Sequence, residues 1–345
     1  MVALLRSGIK RLAYAVGALM APVLMRSLPG PRLLILTYHR VLPTDHPARA
    51  YEEQGMVVSP ERLQMHLRLL APFVTYLHID DWLALRDRGA ALPRLACAVT
   101  FDDGWADNHV HAYPVLQQLQ VPACIYLATA RVGTARGFWP TRLSRQLFTA
   151  WQAGDAQFLA AMALQLPAVS WPDCVATAEQ RRIAHALIAS LKQHYVDEQI
   201  DAALDAVLPG TAACADTDVL DWQQVQAMAA GGLVRFGSHT RDHRRLIDDL
   251  PDAQTQHEIA GSCQDLKNHL PAWHGGFCYP NGDSSDNARR YVQQHYTHSV
   301  FTNFGTNTSA VKAHRLRRVG LHDQSGATRT AVLGRIAAAY LALGA

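Results

Sequence analysis

From Pro31 onward, short runs of apolar, β-forming residues alternate with longer stretches of helical periodicity. This alternation constrains the fold more than any other feature, because strands joined through helices run parallel and pack as a layered α/β structure. The pattern predicts strands near Leu33–Tyr38, Leu95–Phe101, Ala123–Leu127, Leu233–Gly237, Gly276–Tyr279, Ser299–Thr302 and Arg317–Leu321. Helical patterns fill the gaps, at Pro60 to Leu70, Asp80 to Arg88, Tyr113 to Leu119, Asp221 to Ala230, Asp252 to Leu270, Ser284 to Gln294 and Thr328 to Leu343. About seven such strands close more readily into a barrel than an open sheet, and in such barrels the active site lies just past the carboxyl ends of the strands. Between Thr141 and Leu220 the rhythm breaks into alanine- and glutamine-rich helical patterns such as Gln180 to Tyr195, read as a helical insertion. The expected organisation is an apolar and basic helix within residues 1–30, then a barrel over 31–345 with the insertion at about 141–220.

A chain of 345 residues with 49% hydrophobic content can bury a large core. Its 32 basic and 29 acidic residues are spread along the chain without a basic stripe, which argues against a nucleic-acid partner. The six cysteines (Cys97, Cys124, Cys174, Cys214, Cys263 and Cys278) show no Cys-x-x-Cys spacing and read as buried thiols. At the amino terminus, Arg6, Lys10 and Arg11 precede an apolar stretch from Leu12 to Met25, only 14 residues, and Arg26 follows. A spanning helix needs about 20 apolar residues, so a helix lying on an anionic membrane surface is expected. A helix packed on the domain and an uncleaved signal anchor are the other readings.

The sharpest chemical signal is Thr100-Phe101-Asp102-Asp103-Gly104, at the end of the apolar run Leu95 to Val99. Side chains of neighbouring residues diverge in extended backbone, so two successive carboxylates have separate jobs unless the chain turns, and Gly104 supplies a turn. One can bind a metal while the other takes a proton. A second apolar run, Leu233 to Phe236, leads into Gly237-Ser238-His239-Thr240-Arg241-Asp242-His243. Histidines four apart meet on one face of a helical turn, and with one carboxylate they form a His-His-Asp set with open coordination positions, as hydrolytic zinc sites require. Either motif alone has a mundane reading, as a helix cap or a chance surface spacing. Their pairing at two strand ends points to a metal site.

These two motifs resemble those of the polysaccharide deacetylases of carbohydrate esterase family 4, which share the NodB homology domain. The likeness extends over roughly Pro31 to Leu321. It implies a distorted (β/α)7 barrel, an N-acetylated glycan as substrate and a divalent metal, zinc by expectation. It also implies Asp102 as general base and Asp103, His239 and His243 as metal ligands. In the expected reaction the metal polarises the acetamide carbonyl and acidifies a water that attacks with help from Asp102, after which another group protonates the departing amine.

Two family features are altered here. The usual Leu-x-His segment reads Val319-Gly320-Leu321-His322, which makes His322 the first choice as general acid, with His314 and His39 in reserve; His39 follows the first strand and should face the same barrel end. The Arg-x-Pro-aromatic arrangement is replaced by Cys278-Tyr279-Pro280-Asn281, leaving no arginine there to orient Asp102, so either another cation or hydrogen bond fixes the base or the base is less activated; Asn281 is expected to meet the oxyanion. Trp105 and Trp139, and less so Trp222, are candidates for sugar-stacking walls. The alternatives are a deformylase or other amide deacylase of a lipid-linked amino sugar, and a catalytically silent carbohydrate-binding barrel. Substrates of cell-envelope glycan assembly, met at a bacterial membrane on its cytoplasmic or periplasmic face, are expected over chitin digestion.

Overall fold

A computed structural model of the chain describes residues 16–27, 30–134, 137–172, 175–208, 218–271, 273 and 275–342. Its strands are β1 (Arg32–Tyr38), β2 (Arg40–Val41), β3 (Val57–Val58), β4 (Thr75–Tyr76), β5 (Leu95–Phe101), β6 (Ala123–Leu127), β7 (Val234–Ser238), β8 (Phe277–Cys278), β9 (Ser299–Phe304), β10 (Asn307–Thr308) and β11 (Leu316–Gly320). Its helices are α1 (16–27), α2 (Pro60–Leu70), α3 (Ile79–Asp87), α4 (Tyr113–Leu119), α5 (Trp139–Ala153), α6 (Ala156–Gln165), α7 (Gln180–His194), α8 (Asp197–Val207), α9 (Trp222–Ala230), α10 (Asp252–His269), α11 (Asp286–His295) and α12 (Arg329–Leu341).

Seven strands close a parallel ring in the order β1-β5-β6-β7-β8-β9-β11, and β11 returns to β1 through Leu36 and Thr37. This is the expected (β/α)7 barrel, and each predicted strand falls within about three residues of an observed one. Two-residue strands β4 and β10 add to its amino-terminal rim, too short to show as periodic runs.

Period-two alternation sorts the strand residues into two layers. Leu33, Ile35, Ala96, Ala98, Tyr126, Cys278, Val300 and Leu316 form one cluster inside the barrel. Leu34, Leu36, Cys97, Val99, Ile125 and Phe236 point the other way and pack with helix residues such as Leu63, Leu67, Leu116, Met228 and Ile336. The helices start on sequence cues: Ser59 caps α2 ahead of Pro60, Asp221 caps α9 in a capping box with Gln224, and Ser285 caps α11.

Between β6 and β7 the chain forms α5 to α8, whose apolar faces share a core of their own including Leu143, Leu147, Met162, Ala184, Leu191 and Leu204. Asp201 of α8 receives both Arg142 of α5, at 2.9 Å, and Arg131 of the β6 loop, at 3.2 Å. These pairs tie the helices to the carboxyl end of the barrel. Cys97, Cys124, Cys263 and Cys278 are free thiols, while Cys174 and Cys214 lie outside the described residues, as do residues 1–15 of the amino-terminal segment.

Candidate active site

Asp102 continues the inward face of β5 (Ala96, Ala98, Thr100), whereas Asp103 has the opposite parity. It reaches the same site because its backbone adopts φ 77°. Gly104 follows at φ 79°, where a Cβ would come within 2.7 Å of Leu127 Cδ2, so the turn requires a glycine. Both carboxyls are buried.

Each oxygen of Asp102 accepts a hydrogen bond from Arg318 of β11, Nη1 to Oδ1 at 2.7 Å and Nη2 to Oδ2 at 2.8 Å. The guanidinium is fully engaged. Its Nε–H donates to Phe301 O, Nη1 also meets Thr37 Oγ1 at 2.9 Å, and Nη2 meets Cys278 Sγ at 3.1 Å. Burial alone would push the Asp102 carboxyl upward, but the charge and hydrogen bonds of Arg318 outweigh it and hold the group below its ordinary value. Of the two outcomes expected from the altered Cys278-Tyr279-Pro280 segment, the structure has another cation on Asp102, an arginine from the last barrel strand. The small Cys278 side chain leaves room for it.

Asp103 Oδ1 lies 3.4 Å from His239 Nε2 and 3.3 Å from His243 Nε2. His239 Nδ1–H donates to Cys278 O at 2.8 Å, which turns Nε2 toward Asp103. The other oxygen, Asp103 Oδ2, accepts from Trp105 Nε1–H at 2.8 Å. Burial raises the Asp103 carboxyl, and the two imidazoles more than reverse this, holding it well below the usual range.

The histidine pair does not sit on a helical turn, as the spacing suggested. Thr240 and His243 both take φ 64°, and the loop between them is pinned by buried Glu258, whose carboxylate accepts the N–H groups of Arg241 and Asp242 at 3.0 and 2.9 Å. The rings still converge, with centroids 4.8 Å apart.

Two trios of potential ligands occur among the described residues, Asp103–His239–His243 and Asp102–His239–Cys278. Arg318 occupies both oxygens of Asp102 and contacts the Cys278 thiol, so the second trio is already engaged. Donor atoms 2.0–2.1 Å from a tetrahedral ion stand about 3.3–3.4 Å apart, which matches both Asp103–histidine separations in the first trio. Three electron-pair donors so close fit a divalent cation.

The site floors a cleft of about 670 Å3, within the range of sites that hold small ligands. Helices of the insertion form one wall through Trp139, His185, Ile188 and Lys192, and Tyr279, Asn281, Thr302 and Phe304 form the other. Asn281 stands at this wall with φ 54° and an exposed side chain.

His39 is in the cleft, its Nε2 3.7 Å from Asp102 Oδ2 and its side chain 27% exposed. His322 is not among the cleft-lining residues. The chain leaves the sheet after Gly320, Leu321 is buried, and the His322 Nδ1 is enclosed without a partner. His314 precedes β11 and so belongs to the opposite end of the barrel.

Trp105 and Trp139 both line the cleft, with most of each ring packed, at 2% and 6% exposure. Trp105 also orients the Asp103 carboxylate. Arg40, enclosed by Glu52 and Asp107, stacks on its ring at 4.2 Å. Trp139 belongs to the core of the insertion and donates to Asp197 at 3.0 Å. Trp222, on α9, stacks on His269 at 3.8 Å, away from the cleft.

The chain matches the family model described as polysaccharide deacetylase over residues 90–300. Among solved structures it is similar to the Streptococcus pyogenes deacetylase PplD in complex with acetate, with 16% identity and a TM-score of 0.56 over 89% of this chain and 99% of that one. It is also similar to IcaB from Ammonifex degensii, with 18% identity and a TM-score of 0.53 over 89% of this chain and 98% of that one. The putative polysaccharide deacetylase BA0330 from Bacillus anthracis gives 16% identity and a TM-score of 0.54, over 88% and 69% of the respective chains. At these identities the likeness shows a common fold. No curated protein matches the chain.

Proposed function

Because this chain belongs to the polysaccharide deacetylase family and is a hydrolase of amide C–N bonds, we propose that it removes N-acetyl groups from an amino sugar of a glycan, using a zinc ion. In this reading Asp102 is the general base, Asp103, His239 and His243 hold the metal, and His39 protonates the departing amine. The observation that carries it is the clamping of Asp102 by Arg318 directly beside the ligand-spaced trio, at the floor of one cleft.

When bound, the metal would polarise the acyl oxygen and acidify a nearby water. The remaining work belongs to the chain. Arg318 occupies one lone-pair direction on each oxygen of Asp102 and keeps the carboxyl ionised, so it accepts the proton of the attacking water. An amide nitrogen leaves only as an amine, and His39, on the same floor and open to the cleft, is placed to deliver the proton it needs. Asn281, at the cleft wall, is the candidate to steady the acyl oxygen. Trp105 keeps Asp103 turned toward the two histidines.

Acetate release from a panel of N-acetylated oligosaccharides, measured alongside metal content, tests this reading. Asp102→Asn should keep the metal and lose turnover, and His239→Ala should lose both. Turnover retained in Asp102→Asn, or acetate release indifferent to chelation, would overturn it.

A further inference from the structure

Helix α1 has two faces of different character. Gly17, Ala21 and Met25, four residues apart, face the domain; Ala21 and Met25 are buried, and a Cβ on Gly17 would stand 3.4 Å from Gly334 Cα and 3.5 Å from Ala337 Cβ of α12. The opposite face carries Val16, Leu19, Met20 and Val23, exposed by 53%, 80%, 46% and 52%. At 100° per residue these four fall within a stripe about 100° wide. They make up four of the nine exposed large hydrophobic residues among the described ones, gathered on a single helix. Such a stripe needs an occupant.

The charges around it identify the occupant. Residues 1–31 contain Arg6, Lys10, Arg11 and Arg26 and no aspartate or glutamate; the rest of the chain, with 28 of the 32 basic residues against all 29 acidic ones, is balanced. A second copy of α1 would bring like charges together and offer no carboxylate to meet them. An anionic lipid surface satisfies both properties at once, taking the apolar stripe among its acyl chains and the basic residues at its headgroups. The stripe runs along one side of α1 while Gly17, Ala21 and Met25 on the other side pack on the domain, so the contact is along the surface.

We propose that α1 docks this protein on an anionic membrane surface through the Val16–Leu19–Met20–Val23 face. The proposal stands apart from the catalytic reading, and its test does not depend on turnover. The full-length protein is floated with vesicles of phosphatidylcholine alone and with phosphatidylglycerol added. Binding should require the anionic lipid, weaken as salt rises, and fall roughly tenfold or more in Leu19→Glu, which removes the largest exposed side chain contribution and adds a repelled charge. Val23→Glu should act in the same direction. Both positions are exposed, so thermal unfolding of the variants should match that of the parent. Equal binding to neutral vesicles, no binding to either, or unchanged binding of both variants would overturn the proposal. So would a concentration-dependent dimer dispersed by Leu19→Glu, because the stripe would then belong to a second copy.

Discussion

Replacing Arg318 by methionine, which keeps much of the side-chain volume, removes both hydrogen bonds to Asp102 and leaves its carboxyl buried without a counter-charge. Breaking one side of a buried ion pair costs about 3–5 kcal/mol, more than replacing the pair as a whole. With Arg318 present, the folded-state value of Asp102 lies below its unfolded value, so the pair contributes stability above about pH 4 that is lost as pH falls through the depressed folded value. Without it, burial dominates and the folded value rises above the unfolded one. The contribution then reverses: it is present below about pH 4 and lost as pH climbs through the raised value. Arg318→Met should therefore gain stability relative to the parent between pH 7 and 4, as read by chemical denaturation in the presence of chelator. In acetate-release assays the acidic limb of kcat/KM should move to higher pH, with a loss of roughly 100-fold at neutral pH for a compromised base. Arg318→Lys retains a charge without the planar fork and should fall between the two. The neutral pair Asp102→Asn with Arg318→Met should recover much of the stability and none of the activity. An Arg318→Met enzyme within about threefold of the parent, with an unmoved acidic limb, would refute the assignment of Arg318 as the group that holds the base ionised.

Three other outcomes are expected. Trp105→Phe keeps the ring on Arg40 but deletes the bond to Asp103 Oδ2, and metal titration should show affinity reduced by roughly 10- to 100-fold with the fold intact. His39→Gln should lower kcat by roughly 100-fold while His322→Gln stays within a few-fold of the parent; the reverse ranking in steady-state kinetics would return the proton donor to His322. Burial pushes His78 down to about 4, below its unfolded value, so its contribution to stability is complete above about pH 6.5 and drains away as pH falls toward 4. His78→Gln should flatten that part of the stability profile by roughly 3 kcal/mol, measured by denaturant titration at several pH values.

The barrel and the meeting of Asp103, His239 and His243 were legible because each rests on a local pattern: apolar runs for the strands, Asp102-Asp103-Gly104 and His239-x-x-x-His243 at two of their ends. The route by which the histidines meet was not legible, since it depends on left-handed backbone at Thr240 and His243 and on Glu258 from α10, eighteen residues after Thr240. The packing of the tryptophans was not legible for a related reason. Adjacency to the acid pair marks Trp105 as part of the site, but its bond to Asp103 and its burial depend on packing by Arg40, Phe138 and the loops around them.

Arg318 is the more instructive omission, because a signal was present. In β11 the inward series runs Leu316, Arg318, Gly320, set by Leu316 lying within the barrel cluster. An arginine on that series is directed into the barrel, where an uncompensated charge is untenable, so a partner carboxylate must exist at a comparable height. Asp102 is the inward acid one step beyond Thr100 on β5, and β1 lies between the two strands, with Thr37 beside both Gly320 and Thr100. The parity of two strands and the size of Cys278 together lead to the pair. Family likeness directed attention to the residue missing from β8, whereas the physical requirement is only that some guanidinium reach Asp102, and the closed barrel lets β11 supply it as directly as β8.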